Sequence, residues 1–174
     1  MRRGRARIAV DRALGRAFTR LPLLGRLWAR TASVRTSARI PWTPFATPVA
    51  ACRAALITTG GVHLRRDAPF DMRDPHGDPT FREIPAATAV TDFRITHDYY
   101  DHRDADRDVN IVFPLERFRE LVERQALAGL TARHWSFMGH IDGPLVRTLE
   151  TVTIPALLAR LDDDRPDFVF LVPA

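Results

Sequence analysis

The chain has 174 residues, 26 basic and 21 acidic, for a formal net charge of +5, and a single cysteine, Cys52. One thiol excludes an internal disulfide and a cysteine-rich zinc site. The 45% hydrophobic and 27% charged content belongs to a globular domain rather than a disordered one. No apolar run approaches the ~20 residues needed to span a bilayer, and the length suits one domain with a real core.

The charge is divided unevenly. Residues 1–39 hold eleven arginines against one acid, Asp11, a charge of +10, whereas residues 40–174 hold 15 arginines against 20 acids, a charge of −5. A pI near 10.7 therefore describes a basic leader on a mildly acidic body. Within residues 2–30, Ile8, Val10, Leu14 and Phe18 recur at roughly helical spacing. Pro22 then interrupts, and Leu23, Leu24, Leu27 and Trp28 form a second apolar cluster. Contact with an anionic membrane surface, nucleic acid or an organellar import system all remain open, beside a plain solvated extension. Arginines puncture every candidate signal-peptide core, so secretion is not expected. Residues 31–50, with Pro41, Pro44 and Pro48, read as a linker, and the domain boundary is placed at residue 40.

The body reads as alternating strands and helices. The run from Arg53 to His63 looks like a buried strand ending in a tight Thr58-Thr59-Gly60-Gly61 turn. Residues 67–85, with five acids and four prolines, read as a long loop. Residues 92–97 give a second strand. Asn110 to Phe113 gives a short apolar run closed by Pro114. Leu115, Phe118, Leu121 and Val122 predict a helix over 115–125. Residues 127–132 suggest another strand, and 153–161 a helix with Pro155 in its first turn. Asp167 to Val172 is the clearest strand, expected at a sheet edge. The pattern predicts an α/β fold, with an open, largely parallel sheet in a three-layer sandwich behind a basic helical extension.

Several patterns bear on chemistry. His97 to Asn110 packs two histidines and five aspartates into fourteen residues, suited to metal binding or acid–base work. Asp104, Asp106 and Asp108 match the first ligands of an EF-hand. Val109 and Leu115 stand where its glycine and glutamate belong, so the calcium reading fails. The spacing of His97 and His102 suits zinc only if a loop folds them together, and a solvated acidic turn is the alternative. The Thr59-Gly60-Gly61 turn could offer backbone N–H groups to an anion, or simply need glycine's positive φ. His63, just after it, is an acid–base candidate or a merely hydrogen-bonded residue. Cys52 reads as a small buried residue. No Gly-x-Ser-x-Gly elbow exists, and Ser136 to Gly139 reads as a turn with apolar packing residues.

Taken in order, these segments resemble a known family. Pro41-Trp42-Thr43-Pro44, Ala55 to Leu64, Pro69-Phe70-Asp71 and Gly77 to Pro85 come first. His97 to His102, Asp108 to Pro114, Ser136-Phe137-Met138-Gly139 and Phe170-Leu171-Val172-Pro173 follow. Together they are similar to the selenoprotein B type subunit of the glycine, sarcosine, betaine and D-proline reductases. The resemblance covers residues 41–174, read as a reductase-like domain incomplete at its C-terminus, and implies reductive C–N cleavage by a selenolate or thiolate that is regenerated by a dithiol. It implies no cofactor beyond that selenocysteine or cysteine and no metal. The expected partners are other reductase subunits, a small amino-acid-like substrate and a dithiol reductant, with no nucleic acid and at most weak membrane-surface contact by residues 1–30. A cytoplasmic location is expected. His97, Asp101, His102 and His63 are the expected catalytic group, and Thr59, Gly60, Gly61, Asp71, Arg82 and Tyr100 the expected substrate contacts. In the family the redox residue lies just past the Leu-Val-Pro strand, here just beyond Ala174. Selenocysteine is encoded by UGA, so truncation at that codon is one expectation. A short non-catalytic binding or assembly paralogue is another, and a metal-dependent enzyme built on His97–Asp108 a third.

Overall fold

The computed structural model describes residues 42–174 continuously and, before them, scattered positions between Val10 and Arg30. The readings made for the leader and for the linker up to residue 41 lie outside the described residues. Among the described residues no helix is long and apolar enough to cross a membrane.

The organising strand is β1 (Arg53–Thr58). Ala54, Ala55, Leu56 and Thr58 are fully buried, as expected of a strand covered on both faces. Along one side it pairs in parallel with β7 (Phe168–Val172), from Ala54↔Phe168 to Thr58↔Val172. Along the other it pairs in parallel with β5 (Gly129–Leu130) at its start and β6 (Arg133–Phe137) at its end. Outside β6 lies the antiparallel β3 (Phe81–Pro85). A separate antiparallel ribbon joins β2 (Val62–Leu64) to β4 (Phe93–Ile95).

Helix α1 (Leu115–Glu123) buries Leu115 and Phe118. Helix α2 (Leu145–Thr148) runs through a π-helical turn (Leu149–Thr153) into α3 (Ile154–Asp164). Pro155 has no N–H and crowds the preceding turn, and the widened π turn absorbs that defect without breaking the helix. The strand period of two sorts β1 onto two cores. Ala54 and Leu56 join Val62, Phe93, Phe113, Leu115 and Phe118 under α1 and the ribbon. Ala55 joins Trp135, Phe137 and Leu157 under α3. These are the three layers predicted, built on a largely parallel sheet.

Three local readings are corrected. The loop assigned to 67–85 ends in strand β3. The run at 110–113 is no strand but a 3-10 turn (Val109–Ile111), set by Asp108 accepting the Asn110 N–H at 3.0 Å. The most consequential is β6, whose first residues went unassigned and whose Ser136 and Phe137 were read as part of a turn.

β5 and β6 are interrupted where a β1 main-chain donor needs an acceptor. The Leu56 N–H donates instead to His134 Nδ1, at 3.1 Å. That bond puts the neutral ring's proton on Nε2, which is buried without a partner among the described residues. Burial first, then Arg119, pushes the His134 pKa down to about 4, against a weaker upward pull from Asp164. Arg133 anchors β6 to α3 through Asp164, Nη2 to Oδ1 at 2.7 Å.

Candidate active site

The parallel strands β1, β6 and β7 deliver their carboxyl ends to one corner, where open α/β sheets bind ligands. The Thr58–Gly61 turn leaves β1 there. Thr58 Oγ1 donates to Val112 O at 2.6 Å and accepts the Gly60 N–H at 3.0 Å. Thr59 N–H donates to Val172 O and Gly61 N–H to Phe137 O. The turn's amides are thus committed to neighbouring strands, so it offers no anion cradle. Gly61 is required, because at φ +70 an added Cβ would stand 2.4 Å from Thr96 O. Ala174 N–H donates to Thr59 Oγ1 at 3.0 Å, which brings the residues after β7 to the same place.

His97 sits against this turn and is 5% exposed. Its Nδ1 accepts the Tyr99 N–H at 3.1 Å, so the proton of the neutral ring resides on Nε2. Burial first, then charge at His102 and His140, pushes its pKa down to about 4. His97 is a neutral hydrogen-bond donor at pH 7. Its Nε2 faces Gly139, whose missing Cβ would lie 3.2 Å away and 2.5 Å from Thr59 O.

The tyrosines complete the wall. Tyr100 lies edge-on to His97, ring centroids 4.5 Å apart, and its hydroxyl donates to Gly60 O at 3.0 Å. Burial and then Asp106 push its pKa up to about 12, so it stays a neutral donor. Tyr99 stacks on His140, centroids 4.0 Å apart.

Of the sequence-predicted residues, the fold gathers His97, Tyr100, Thr59, Gly60 and Gly61. His102 stands beside them, its ring 5.7 Å from that of Tyr100 and its Nδ1 2.8 Å from Asp106 Oδ2. His63 lies one residue behind, in β2. Its Nδ1 reaches Leu64 O at 2.9 Å and its Nε2 Thr96 Oγ1 at 2.8 Å, so both nitrogens are engaged. Asp101 turns outward to Arg103, Nε to Oδ1 at 2.8 Å, and that guanidinium holds its carboxyl near 2.

Asp71 lies in the long loop and Arg82 in β3. Arg82 donates to Ala68 O and Pro69 O and stacks over Phe70 at 4.2 Å, while Asp71 accepts the Arg73 N–H. The remaining acids of the 97–110 stretch do not converge. Asp104 pairs with Arg107, and Asp108 with Asn110, whose Oδ1 in turn caps α1 at Glu116 N. Among the described residues no three of His, Cys, Asp and Glu are placed to hold a metal.

Cys52 lies at the opposite end of β1, buried, with Sγ 3.3 Å from Pro48 O. Burial pushes its thiol up, and Asp167 adds to the shift. Two surface hollows of about 420 and 530 Å³ share Arg65 and are lined by other residues than this corner. Neither hollow is lined by a histidine.

The sequence reading missed His76, His140 and Asp142. His76 Nδ1 lies 2.5 Å from Asp142 Oδ1, and His140 Nε2 3.2 Å from Pro75 O. These residues come from segments more than sixty positions apart, and no spacing rule joins them.

A buried histidine at the carboxyl ends of the parallel strands stands where open α/β sheets bind ligands, and the fold by itself names no reaction. The chain is 31% identical over 130 residues to D-proline reductase subunit gamma of Acetoanaerobium sticklandii, across 75% of this chain and 52% of that protein. It is a distant relative of that reductase subunit and spans about half the length of it. No family model and no solved structure matches the chain.

Proposed function

We propose that this chain belongs to a subunit of a selenol- or thiol-dependent reductase that cleaves the C–N bond of glycine, sarcosine, betaine or D-proline. The observation that carries the reading is the relation to a D-proline reductase subunit across three quarters of the chain. The neutral, donor-ready His97 at the strand ends supports it. In such a reaction a selenolate or thiolate attacks the carbon beside nitrogen, and the nitrogen leaves with the bonding pair and takes a proton. A second thiol then attacks the selenium or sulfur, and the carbon departs with its pair and takes another proton. The dithiol reductant supplies the two electrons and ends as a disulfide.

The redox selenocysteine or cysteine expected beyond Ala174 would enter this corner, since Ala174 N–H already meets Thr59 Oγ1. A selenolate there would gain from a helix N-terminus beside it. Within the described residues His97 does the binding work, donating from Nε2 to an anionic oxygen of the substrate, with Tyr100 and His102 walling it. Further subunits and a dithiol are the partners, and a reducing cytoplasmic location follows from the dithiol.

The test is D-proline-dependent oxidation of dithiothreitol, with ring-opened product, by the protein purified with its co-purifying subunits. Replacing His97 by alanine there is expected to cut turnover, and unchanged turnover removes His97 from the site. No dithiol oxidation with any of the four substrates overturns the reading. A non-catalytic assembly role is the second reading. Cys52, buried at the end of β1 away from this corner, takes no redox part in either reading.

A further inference from the structure

Two short stretches of the basic leader carry one pattern. Val10, Ala13 and Ala17 are helical, and positions three and seven apart share a helix face. Leu14 and Phe18 fall on that face by spacing, while Arg5, Arg12 and Arg16 fall on the opposite one. Past Pro22, the positions Leu23, Arg26, Leu27 and Arg30 are again helical. Leu23 and Leu27 are four apart and share a face, as do Arg26 and Arg30 on the next face round. Leu24 and Trp28 widen the apolar side by the same spacing.

This apolar side is open to solvent. Leu23 is 73% exposed and Leu27 57%, with Val10 at 56% and Leu21 at 55%. The charge around it is +10 over residues 1–39, with Asp11 the single acid, against −5 over residues 40–174. An apolar stripe flanked by arginines suits the boundary between lipid headgroups and acyl chains. Leucine and tryptophan enter the apolar side of that boundary, and guanidinium groups meet anionic headgroups. Nucleic acid would engage the arginines but leave the leucines in water.

We infer that the leader is a reversible anchor on an anionic membrane surface. Residues 5–30 lie in the interface, with Leu23, Leu27 and Trp28 inserted and the arginines on the headgroup phosphates. Apolar insertion and basic attraction are two signals acting together, and each alone gives marginal attachment. The acidic body is repelled by the same surface, which confines the contact to the leader. The leader lies outside residues 41–174, over which the likeness to the reductases runs, so the anchor stands or falls apart from the reductase reading.

The test is flotation of the full-length protein with vesicles of phosphatidylglycerol and phosphatidylcholine, and with vesicles of phosphatidylcholine alone. Binding is expected to the anionic vesicles and not to the neutral ones. Raising salt from about 0.1 M to 1 M shortens the screening length from ~10 Å to ~3 Å and should release most of the protein. Leu23→Ser combined with Leu27→Ser should weaken binding at least about 10-fold. Arg26→Gln combined with Arg30→Gln should weaken it about 10-fold. These side chains lie outside both cores, so neither double variant should change the melting temperature. Full binding by the leucine variant would mean electrostatic adsorption without insertion and would overturn the anchor. Absence of binding to anionic vesicles, or release from them by duplex DNA or RNA, overturns it as well.

Discussion

His97, in the loop after β4, and His134, in β6, meet nearly the same local conditions. Both are buried, at 5% and 0% exposure. Each accepts a backbone N–H at Nδ1 over 3.1 Å, from Tyr99 and from Leu56. Burial pushes both pKa values to about 4. They differ in what surrounds the protonated nitrogen. Around His134 the core closes, with Phe113 6.2 Å away ring to ring and no partner for Nε2. Beside His97 Nε2 stands Gly139 at φ +91, in the segment that leaves β6. A fixed tautomer and a depressed pKa are thus common to a histidine inside the sheet and one at the strand ends, and only their places in the fold separate them.

The comparison breaks most visibly in stability. Replacing His134 with alanine leaves a cavity and strands the Leu56 N–H, a cost of about 3–5 kcal/mol. At ~2–4 °C per kcal/mol, thermal unfolding should show a fall of roughly 10 °C. His97→Ala, in a loop outside the sheet, should cost clearly less. Equal losses would mean that both rings serve the fold alone.

The next effect is on acid stability, and its sign follows from the direction of the shifts. Both folded-state pKa values lie below the ordinary value of 6.5. Below pH ~6.5 the unfolded chain takes up protons that the folded rings refuse until pH ~4. The stabilisation is whole above 6.5 and is lost as pH falls from 6.5 to 4, by about 2 kcal/mol per ring at pH 5. Urea unfolding at pH 7 and pH 5 measures it. His134→Gln should remove about half the dependence, and a bound proline should steepen only the part belonging to His97.

Much of this contrast was legible in the sequence, and part of it was hidden. Short apolar runs exposed β1 and β7, and helical periodicity exposed α1. Neither signal exposed β6, whose core-facing His134 and Ser136 are polar yet fully buried. Burial of a histidine depends on a bond to Leu56, seventy-eight residues away, which no local pattern carries. His97 and Tyr100 were visible as a dense polar cluster, but density also promoted Asp101, Asp104 and Asp108, which bind the neighbouring Arg103, Arg107 and Asn110. His76 and Asp142 were invisible because a carboxylate and an imidazole sixty-six residues apart leave no spacing to read.

A smaller effect comes from Gly139. Gly139→Ala forces a side chain at φ +91 to within 2.5 Å of Thr59 O, a strain of about 1–3 kcal/mol. The added methyl also crowds His97 Nε2. Loss of the D-proline-induced shift of the His97 imidazole ¹⁵N resonance should exceed what the fall in melting temperature explains. A shift preserved in full would mean that the ligand does not approach from the glycine side.

The smallest effect is expected at Asp101, where a perturbed pKa carries no structural weight. Arg103 holds its carboxyl near 2 by hydrogen bonding first, then by charge. In sign this is a group whose stabilisation is present above its ordinary pKa of 3.8 and fades as pH falls toward 2. The pair, however, stands in solvent, the arginine 81% exposed, where water and salt screen it and long side chains lose entropy on pairing. Asp101→Asn should therefore leave the melting temperature and the His97 resonance unchanged at neutral pH. Histidines and aspartate are displaced by similar amounts, yet only the displacement caused by burial should appear in the folding free energy. A measurable destabilisation by Asp101→Asn, or a lost His97 response to proline, would place Asp101 inside the site after all.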